Sequence, residues 1–396
     1  MSVRPQRGSN PPPPEHVPTP AQPFVIESTW KRSVRRRLLV WFDANARDLP
    51  WRRDPTPYHI WVSEIMLQQT QVATVIDYFN RFIAAFPTVN DLAAAPEHEL
   101  MRLWEGLGYY RRARMMHQAA KQVAEQHRGK FPTDYESVLA LPGIGRYSAG
   151  AILSISTGAR LPIVEGNTVR VYARWTALRN DVKSSAGVAQ LWQIAEAMLT
   201  DQESGRFNQA AMELGALICK PVAPDCKRCP VSNYCEANRL GLQDEIPGKV
   251  TRMEYEDRRE FAFIIPSEKR GRWLVGQVPA GQRWAGLWDF PRATDGRSRS
   301  VDEAVKAISQ KLGTQLTPHV QFKTIKHAVT RYRITLEVVR TQPIKELDVD
   351  VPAVHGEHRF VDEKELATLP LSVTGRKIAK LVAQEGTLCL FNAHEG

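Results

Sequence analysis

The sequence predicts a multidomain protein in which an all-α region with a cysteine-bound metal loop precedes a smaller α+β domain. Three observations carry this. From Ser28 to about Arg239 a helical segment recurs about every 10–20 residues, punctuated by Pro87, Pro96, Gly106, Gly108, Pro132, Pro142 and Gly143. Four of the five cysteines crowd into 17 residues. Beyond residue 257 the runs Phe261–Ile265, Arg272–Val278 and Arg331–Val339 read as strands around one helical stretch, Val301–Leu312. A length of 396 residues suits two or three domains.

The first 23 residues hold eight prolines and little to bury, so 1–27 is expected to be a disordered leader. Between His59 and Phe86, Ile65, Val72, Ile76, Phe79 and Ile83 recur at three-, four- and seven-residue spacings, which predicts one long helix with a single apolar stripe. The helical domain is expected over 28–240. Residues 243–248 and the charged run Arg252–Glu260 mark a linker over 241–257, and the α+β domain takes 258–390. No run reaches the roughly 20 apolar residues of a membrane helix, and the start lacks the apolar segment of an export signal. A membrane protein and a disulfide-stapled secreted protein are excluded, and an intracellular location is expected.

Lys and Arg number 53 against 43 Asp and Glu, a net charge of +10. That excess favours a polyanionic partner, most simply a nucleic-acid backbone, over a merely solvated basic surface. It concentrates early: between Trp30 and Ile60 eight Lys or Arg face three Asp. The clustered cysteines, Cys219, Cys226, Cys229 and Cys235, follow C-x6-C-x2-C-x5-C, with Cys389 apart. Without an export signal disulfides are the poorer reading, and four neighbouring thiolates imply a metal. Zinc favours two C-x2-C knuckles and only one is present. An iron–sulfur cluster is therefore the stronger expectation, with zinc the alternative. Lys220, Lys227 and Arg228 would let that loop contact phosphates, the cluster itself being structural.

Residues 141–151 place Gly143 and Gly145 on either side of Ile144. Such a tight turn points backbone N–H groups outward at the start of the next helix, which suits a phosphate of any sequence. The plain alternative is a helix–helix turn. Glu64 lies in a Gln-rich stretch, 63–72, where a helix would put Glu64, Gln68 and Gln71 on one face beside Trp61 and Met66. A carboxyl group in partly apolar surroundings holds its proton nearer neutrality, as a general acid must, and glutamines suit base edges. The bland alternative is a solvent-facing Glu. Glu165 stands just before a predicted helix, where an acid is favourable with the dipole.

Together these segments resemble the adenine DNA glycosylases of the MutY family, within the helix-hairpin-helix glycosylase superfamily. The carriers are LPWR (49–52), PYHIWVSEIMLQQTQV (57–72), LWEGLGYYRRAR (103–114), LPGIGRYSAGAI (141–152), EGNTVRV (165–171), FNQAAMELGALIC (207–219) and the four cysteines. The resemblance implies a two-lobed helical domain with a [4Fe-4S] cluster loop, working as a monomer in the cytoplasm or nucleoid. Its partner would be double-stranded DNA carrying adenine opposite 8-oxoguanine or guanine, with the adenine flipped out because its glycosidic bond is unreachable in the stack. Glu64 would protonate the departing adenine, and Glu165 would stabilise or attack the oxocarbenium-like sugar. Tyr147 and Asn167 would orient that second carboxylate and the sugar. Trp51, Arg52 and Leu67 would line the base pocket, and Gln69 and Tyr109 would fill or wedge the opened stack.

Endonuclease III-like relatives carry a lysine where Tyr147 stands, the Schiff-base nucleophile of strand cleavage. Its absence implies base removal without efficient lyase activity. The family motif is Asp-Gly-Asn, whereas this chain has Glu165, whose extra methylene moves the carboxylate by about 1 Å. The C-terminal domain resembles the family's Nudix-like module that reads 8-oxoguanine, on the strength of Trp284–Pro291. Residues 306–311 lack the clustered glutamates of a working Nudix hydrolase, so pyrophosphatase activity is not expected. The family's Phe-Ser-His loop is replaced by Val329-Thr330-Arg331, which leaves Thr330 as the hydroxyl-bearing reader. Two rivals stand beside this reading: a mismatch glycosylase of different base choice, and a catalytically weak iron–sulfur DNA-binding protein.

Overall fold

Short polar side chains and prolines decide where the helices begin. The structure, a computed structural model, describes residues 25–248, 254–279, 281–294, 300–346 and 357–392. The expected leader falls almost wholly outside the described residues, as does 249–253 of the expected linker. In chain order the helices are α1 (Ser28–Asn45), α2 (Pro50–Arg53), α3 (Pro57–Leu67), α4 (Val72–Ala85), α5 (Val89–Ala94), α6 (Glu97–Leu103), α7 (Arg111–Gln126) and α8 (Tyr135–Leu139). They continue as α9 (Arg146–Thr157), α10 (Gly166–Trp175), α11 (Ser185–Met198), α12 (Ser204–Leu217), α13 (Glu236–Arg239), α14 (Val301–Leu312), α15 (Glu363–Thr368) and α16 (Val373–Asn392). The strands are β1 (Glu256–Ile264), β2 (Trp273–Gln277), β3 (Trp288–Asp289), β4 (Arg292–Ala293), β5 (Pro318–Val329), β6 (Tyr332–Thr341) and β7 (His358–Val361). The described residues build two compact units, one from 25–45, 164–198 and 210–248, the other from 46–163, 199–209 and the described residues beyond 253.

In the second unit Thr56 caps α3 by accepting the His59 N–H, with Pro57 at the first helical position. Thr88 and Asp91 close a reciprocal capping box on α5, and Asp134 caps α8 through the Ser137 N–H. Helix α9 is buried from Ser148 to Ser154 and ends on Gly158, whose φ of 76° is the left-handed conformation glycine tolerates best. Trp61, Met66, Val75, Phe82, Trp104, Met116 and Ile152 lie in one continuous core.

The single long helix expected over 59–86 is not formed. It is two helices, α3 and α4, separated by a turn at 68–71 in which Gln69 takes φ 59°. Gln68 ends α3 and Gln71 caps α4, so the face expected to carry Glu64, Gln68 and Gln71 does not exist as a helix face. A four-residue turn consumes about one helical turn, so the apolar period resumes in phase and hides the break.

The α+β part of this unit pairs β4-β1-β6-β5 in one sheet, with β1 and β6 parallel, and β3-β2-β7 in another. The second half of strand β1, 260–264, is buried on both faces. Ala262 and Ile264 join a core with Ile378 and Val382 of α16, while Phe261 and Phe263 join one with Ala304 and Ile308 of α14. Period-two alternation thus serves two cores, as a sheet covered on both sides requires. In the first unit α1 buries Val34, Leu38 and Phe42, and the Trp30 ring meets Trp175 edge-on at 6.5 Å. Trp30 Nε1 donates to the Tyr234 carbonyl at 2.8 Å, tying α1 to the cysteine loop.

Candidate active site

Glu64 sits on the last two turns of α3, only 4% exposed, among Trp61, Ile65 and Met66. Helix α9 packs against α3 and brings Tyr147, on its first turn, to donate its hydroxyl to Glu64 Oε2 at 2.5 Å. A bond this short fixes the carboxyl group in one orientation. The Tyr147 hydroxyl thus rests on the first of the two candidate carboxyl groups.

Arg112 of α7, which sequence reasoning missed, ties α3 to its surroundings. Its Nη1 donates to the carbonyls of Ile65 (2.8 Å), Met66 (3.1 Å) and Gln68. Its Nη2 reaches the carbonyls of Leu107 and Gly108, both at 3.3 Å, and the Thr70 hydroxyl. One guanidinium therefore satisfies the orphan C-terminal carbonyls of α3 and clamps two turns together. Burial pulls its pKa down to about 10, which leaves it cationic at neutral pH. Both clamped turns end in a left-handed residue with an exposed side chain, Gln69 (φ 59°) and Tyr109 (φ 48°, 50% exposed).

The other residues expected at the base pocket divide. Trp51 is buried in the core with its ring edge-on to Phe79 at 5.4 Å. Leu67 is the last residue of α3 and half-buried. Arg52 donates to Gln209 Oε1 at 3.2 Å and to the Arg47 carbonyl at 3.0 Å. Gly143 has φ 82° with Met115 Cβ 3.0 Å from where its own Cβ would lie, and Gly145 is the N-cap of α9, which no side chain caps.

In the first unit Glu165 is the N-cap of α10. Its carboxylate accepts the Thr168 N–H at 3.0 Å and Asn167 Nδ2 at 3.2 Å, while Thr168 Oγ1 accepts the Glu165 N–H at 2.8 Å. Burial raises its pKa above the ordinary value, and those backbone bonds and Arg170 only partly offset this. Arg170 donates to Asn167 Oδ1 at 2.7 Å, to the Gly215 carbonyl at 2.8 Å and to the Cys219 carbonyl at 3.2 Å. Arg174, buried, donates to Cys219 Sγ at 3.2 Å and to the carbonyls of Lys220 and Ile246, both at 2.7 Å. Two arginines one helical turn apart thus pin the cysteine loop to the helix that Glu165 caps. Their spacing from Gly166 and Asn167 was the available signal.

Cys219, Cys226, Cys229 and Cys235 line one small cavity with Arg174, Leu214 and Ile218. Burial raises the thiol pKa of Cys229 to about 12 and of Cys235 to about 11. Among the described residues no group of three or more His, Cys, Asp or Glu is placed to hold a single metal ion. Cys389 has a side chain outside the described residues. In the α+β part, Thr330 (φ 51°) is exposed at the turn between β5 and β6, its hydroxyl on the Val329 carbonyl at 2.7 Å. His327 lies under this turn with its ring 6.4 Å from Trp284. Burial, with Arg292 and Arg283 nearby, brings its pKa down to about 4, so it is neutral at pH 7.

Comparison with known proteins fits these two parts. Residues 62–196 match the model for the HhH-GPD superfamily base excision DNA repair proteins, and 261–381 match the NUDIX domain. The chain is 44% identical over 381 residues to the adenine DNA glycosylase of Rattus norvegicus, covering 82% of this chain and 73% of that one. The human adenine DNA glycosylase is 32% identical over 88% of this chain and 74% of its own. Among solved structures, a thermostable thymine-DNA glycosylase is 26% identical with a TM-score of 0.50, over 54% of this chain and 98% of that one. On the length and identity of these matches, the chain belongs to the adenine DNA glycosylases, helix-hairpin-helix DNA glycosylase enzymes with a Nudix-like C-terminal part.

Proposed function

We propose that the chain removes adenine mispaired with 8-oxoguanine or guanine from double-stranded DNA, as a monomer, without cutting the strand. The observation that carries this is Glu64, buried on α3 and held by Tyr147, which occupies the position of the strand-cleaving lysine. With the adenine flipped out of the stack, Glu64 hands a proton to the base as the glycosidic bond breaks. The positive charge left on the sugar is met by the Glu165 carboxylate, which Asn167 and the Thr168 N–H hold in place. Water then completes the hydrolysis. Gln69 and Tyr109, exposed on their clamped turns, enter the opened stack, while Gly143, Gly145 and the uncapped start of α9 receive a phosphate. In this reading 28–240 is the glycosylase domain and 258–390 reads the opposite base, with Thr330 at its tip.

A [4Fe-4S] cluster on Cys219, Cys226, Cys229 and Cys235 fits the donor set. Four thiols line one small cavity, and their C-x6-C-x2-C-x5-C spacing has a single tight pair where zinc favours two. The four cysteines would hold it, and its iron–thiolate bonds would staple the loop. Among the described residues no helix is long and apolar enough to cross a membrane.

The test is a single-turnover assay on a duplex with adenine opposite 8-oxoguanine, alkali revealing abasic sites. The intact chain should release adenine, and Glu64→Gln should lower the rate by about a thousandfold or more while binding the same duplex. A chain that binds the duplex and yields no abasic product refutes the proposal. Running thymine and guanine mismatches alongside decides between adenine and the base choice of the thymine-DNA glycosylase.

A further inference from the structure

We propose that Glu105 and Arg376 form a specificity-determining pair, through which the opposite-base-reading part sets the position of Tyr109; this rests on the adenine-glycosylase reading above. Glu105 lies in the bend between α6 and α7, four residues before Tyr109. Arg376 lies on the first turn of α16. The two meet fork to fork, Nε to Oε1 at 2.7 Å and Nη2 to Oε2 at 2.9 Å, with side chains only 21% and 15% exposed. The Leu371 N–H adds a third donor to Glu105 at 3.4 Å. Arg376 is itself anchored on the carbonyls of Leu366 (2.8 Å) and Leu369 (2.6 Å). A bidentate, largely desolvated pair of this kind fixes direction as well as distance.

The bend it grips has little freedom. The Tyr78 hydroxyl donates to the Glu105 carbonyl at 2.6 Å, and Trp104 Nε1 donates to the Gly108 carbonyl at 3.1 Å. Gly106 has φ 102° and Gly108 φ 71°, and a Cβ on Gly106 would lie 2.2 Å from the Tyr78 oxygen. A displacement at Glu105 therefore passes to Tyr109 through a bend whose ends these hydrogen bonds hold.

On the other side of the pair, a series of contacts leads toward His327 on β5, the strand that runs into the turn carrying Thr330. The Arg376 N–H donates to the Ser372 carbonyl at 2.8 Å, and Arg292 Nη2 donates to Thr374 Oγ1 at 2.6 Å. The Arg292 guanidinium lies 5.1 Å from the centre of the Trp284 ring, which is 6.4 Å from His327 on β5. The same reading part also meets α7, where Arg114 donates to the Ala285 carbonyl. Both contacts land within five residues of Tyr109. A contact that only glued the parts together could sit anywhere on the helices; this one grips the bend that leads into the wedge.

The experiment measures single-turnover adenine release opposite 8-oxoguanine and opposite guanine for the full chain, Glu105→Gln, Arg376→Gln and the double variant. Thermal unfolding of each is recorded. Glu105→Gln should lose about tenfold of the preference for 8-oxoguanine, with release opposite guanine within about threefold of the parent. Arg376→Gln should lose as much, and the double variant no more than either, because the two side chains act as one unit. An equal fall on both duplexes, an unchanged preference, or additive losses in the double variant overturns the pair. If Glu105→Gln does not fold, Arg376→Lys, which keeps the charge and loses the fork, is judged by the same ratio. A parent chain that releases no adenine sinks the enzymatic reading; one that releases it without preference between the duplexes sinks this proposal alone.

Discussion

At Glu165 one side chain serves two purposes that pull in opposite directions. It caps α10, and it is held partly out of water, which raises its pKa above the ordinary 4.5 despite the N–H bonds it accepts. The folded chain therefore holds that proton more tightly than the unfolded chain. The stability this contributes is complete below the ordinary value and is lost as pH rises through the raised one. Glu165→Gln removes the titration and keeps a carbonyl oxygen for the Thr168 N–H. Its thermal midpoint should gain on the parent's as pH climbs from about 4 and level off above the raised value; a gap that narrows instead contradicts the assignment. Glu165→Asp withdraws the carboxylate by about 1 Å and leaves a strong N-cap, so single-turnover release should accelerate by about tenfold or more. Unchanged or slower release would mean that the backbone of α10 already compensates for the methylene. Glu64 and Glu165 stand out in the sequence as candidates because few acids stand beside such motifs. Arg112 and Arg170 do not, because an arginine on a helix reads as solvated until the carbonyls it caps are seen.

Among elements, the informative case is the turn between α3 and α4. The caps at Thr56, Thr88 and Asp134 are written in the sequence, and α14 runs over Val301–Leu312 as its periodicity predicts. The turn at 68–71 is not, since apolar residues on its two sides stay in register across it. What holds it open is distant in sequence: the Arg112 guanidinium, 44 residues from the Gln68 carbonyl. Arg112→Ala leaves several buried carbonyls without a donor and should destabilise the chain by about 3 kcal/mol, read from denaturant midpoints at constant slope. Arg112→Lys keeps a cation but cannot serve both turns. It should recover part of that stability while adenine release stays at least about tenfold slow, because Gln69 and Tyr109 are no longer set by one group. Full recovery of release by the lysine variant would show that charge, and not the fork, matters there.

For the molecule as a whole, what the sequence conceals is how the segments are dealt between the two units. Strands such as 261–265 announce themselves by β-branched and aromatic runs, and each part's helices by their period. No local pattern says that 25–45, 164–198 and 210–248 belong together, because the contacts that join them are long-range, such as Trp30 with Tyr234 or Arg174 with Cys219. A unit assembled from three separate segments pays more loop-closure entropy than a contiguous one, so a staple within it matters more. The cysteine loop is that staple. It is joined to α10 through Arg170 and Arg174, and it buries Val231 and Ala237. Cys229→Ser, which removes one of the four thiols, should therefore loosen this unit selectively. Amide hydrogen exchange should rise across 28–45, 164–198 and 210–248, while α3 and α9, held in the other unit's core around Glu64, keep their protection. A visible absorption shoulder in the parent that is bleached in the variant would tie the effect to iron. Equal deprotection of both units would mean that the cysteines stabilise the whole chain as one cooperative body, and the staple would have to be sought elsewhere.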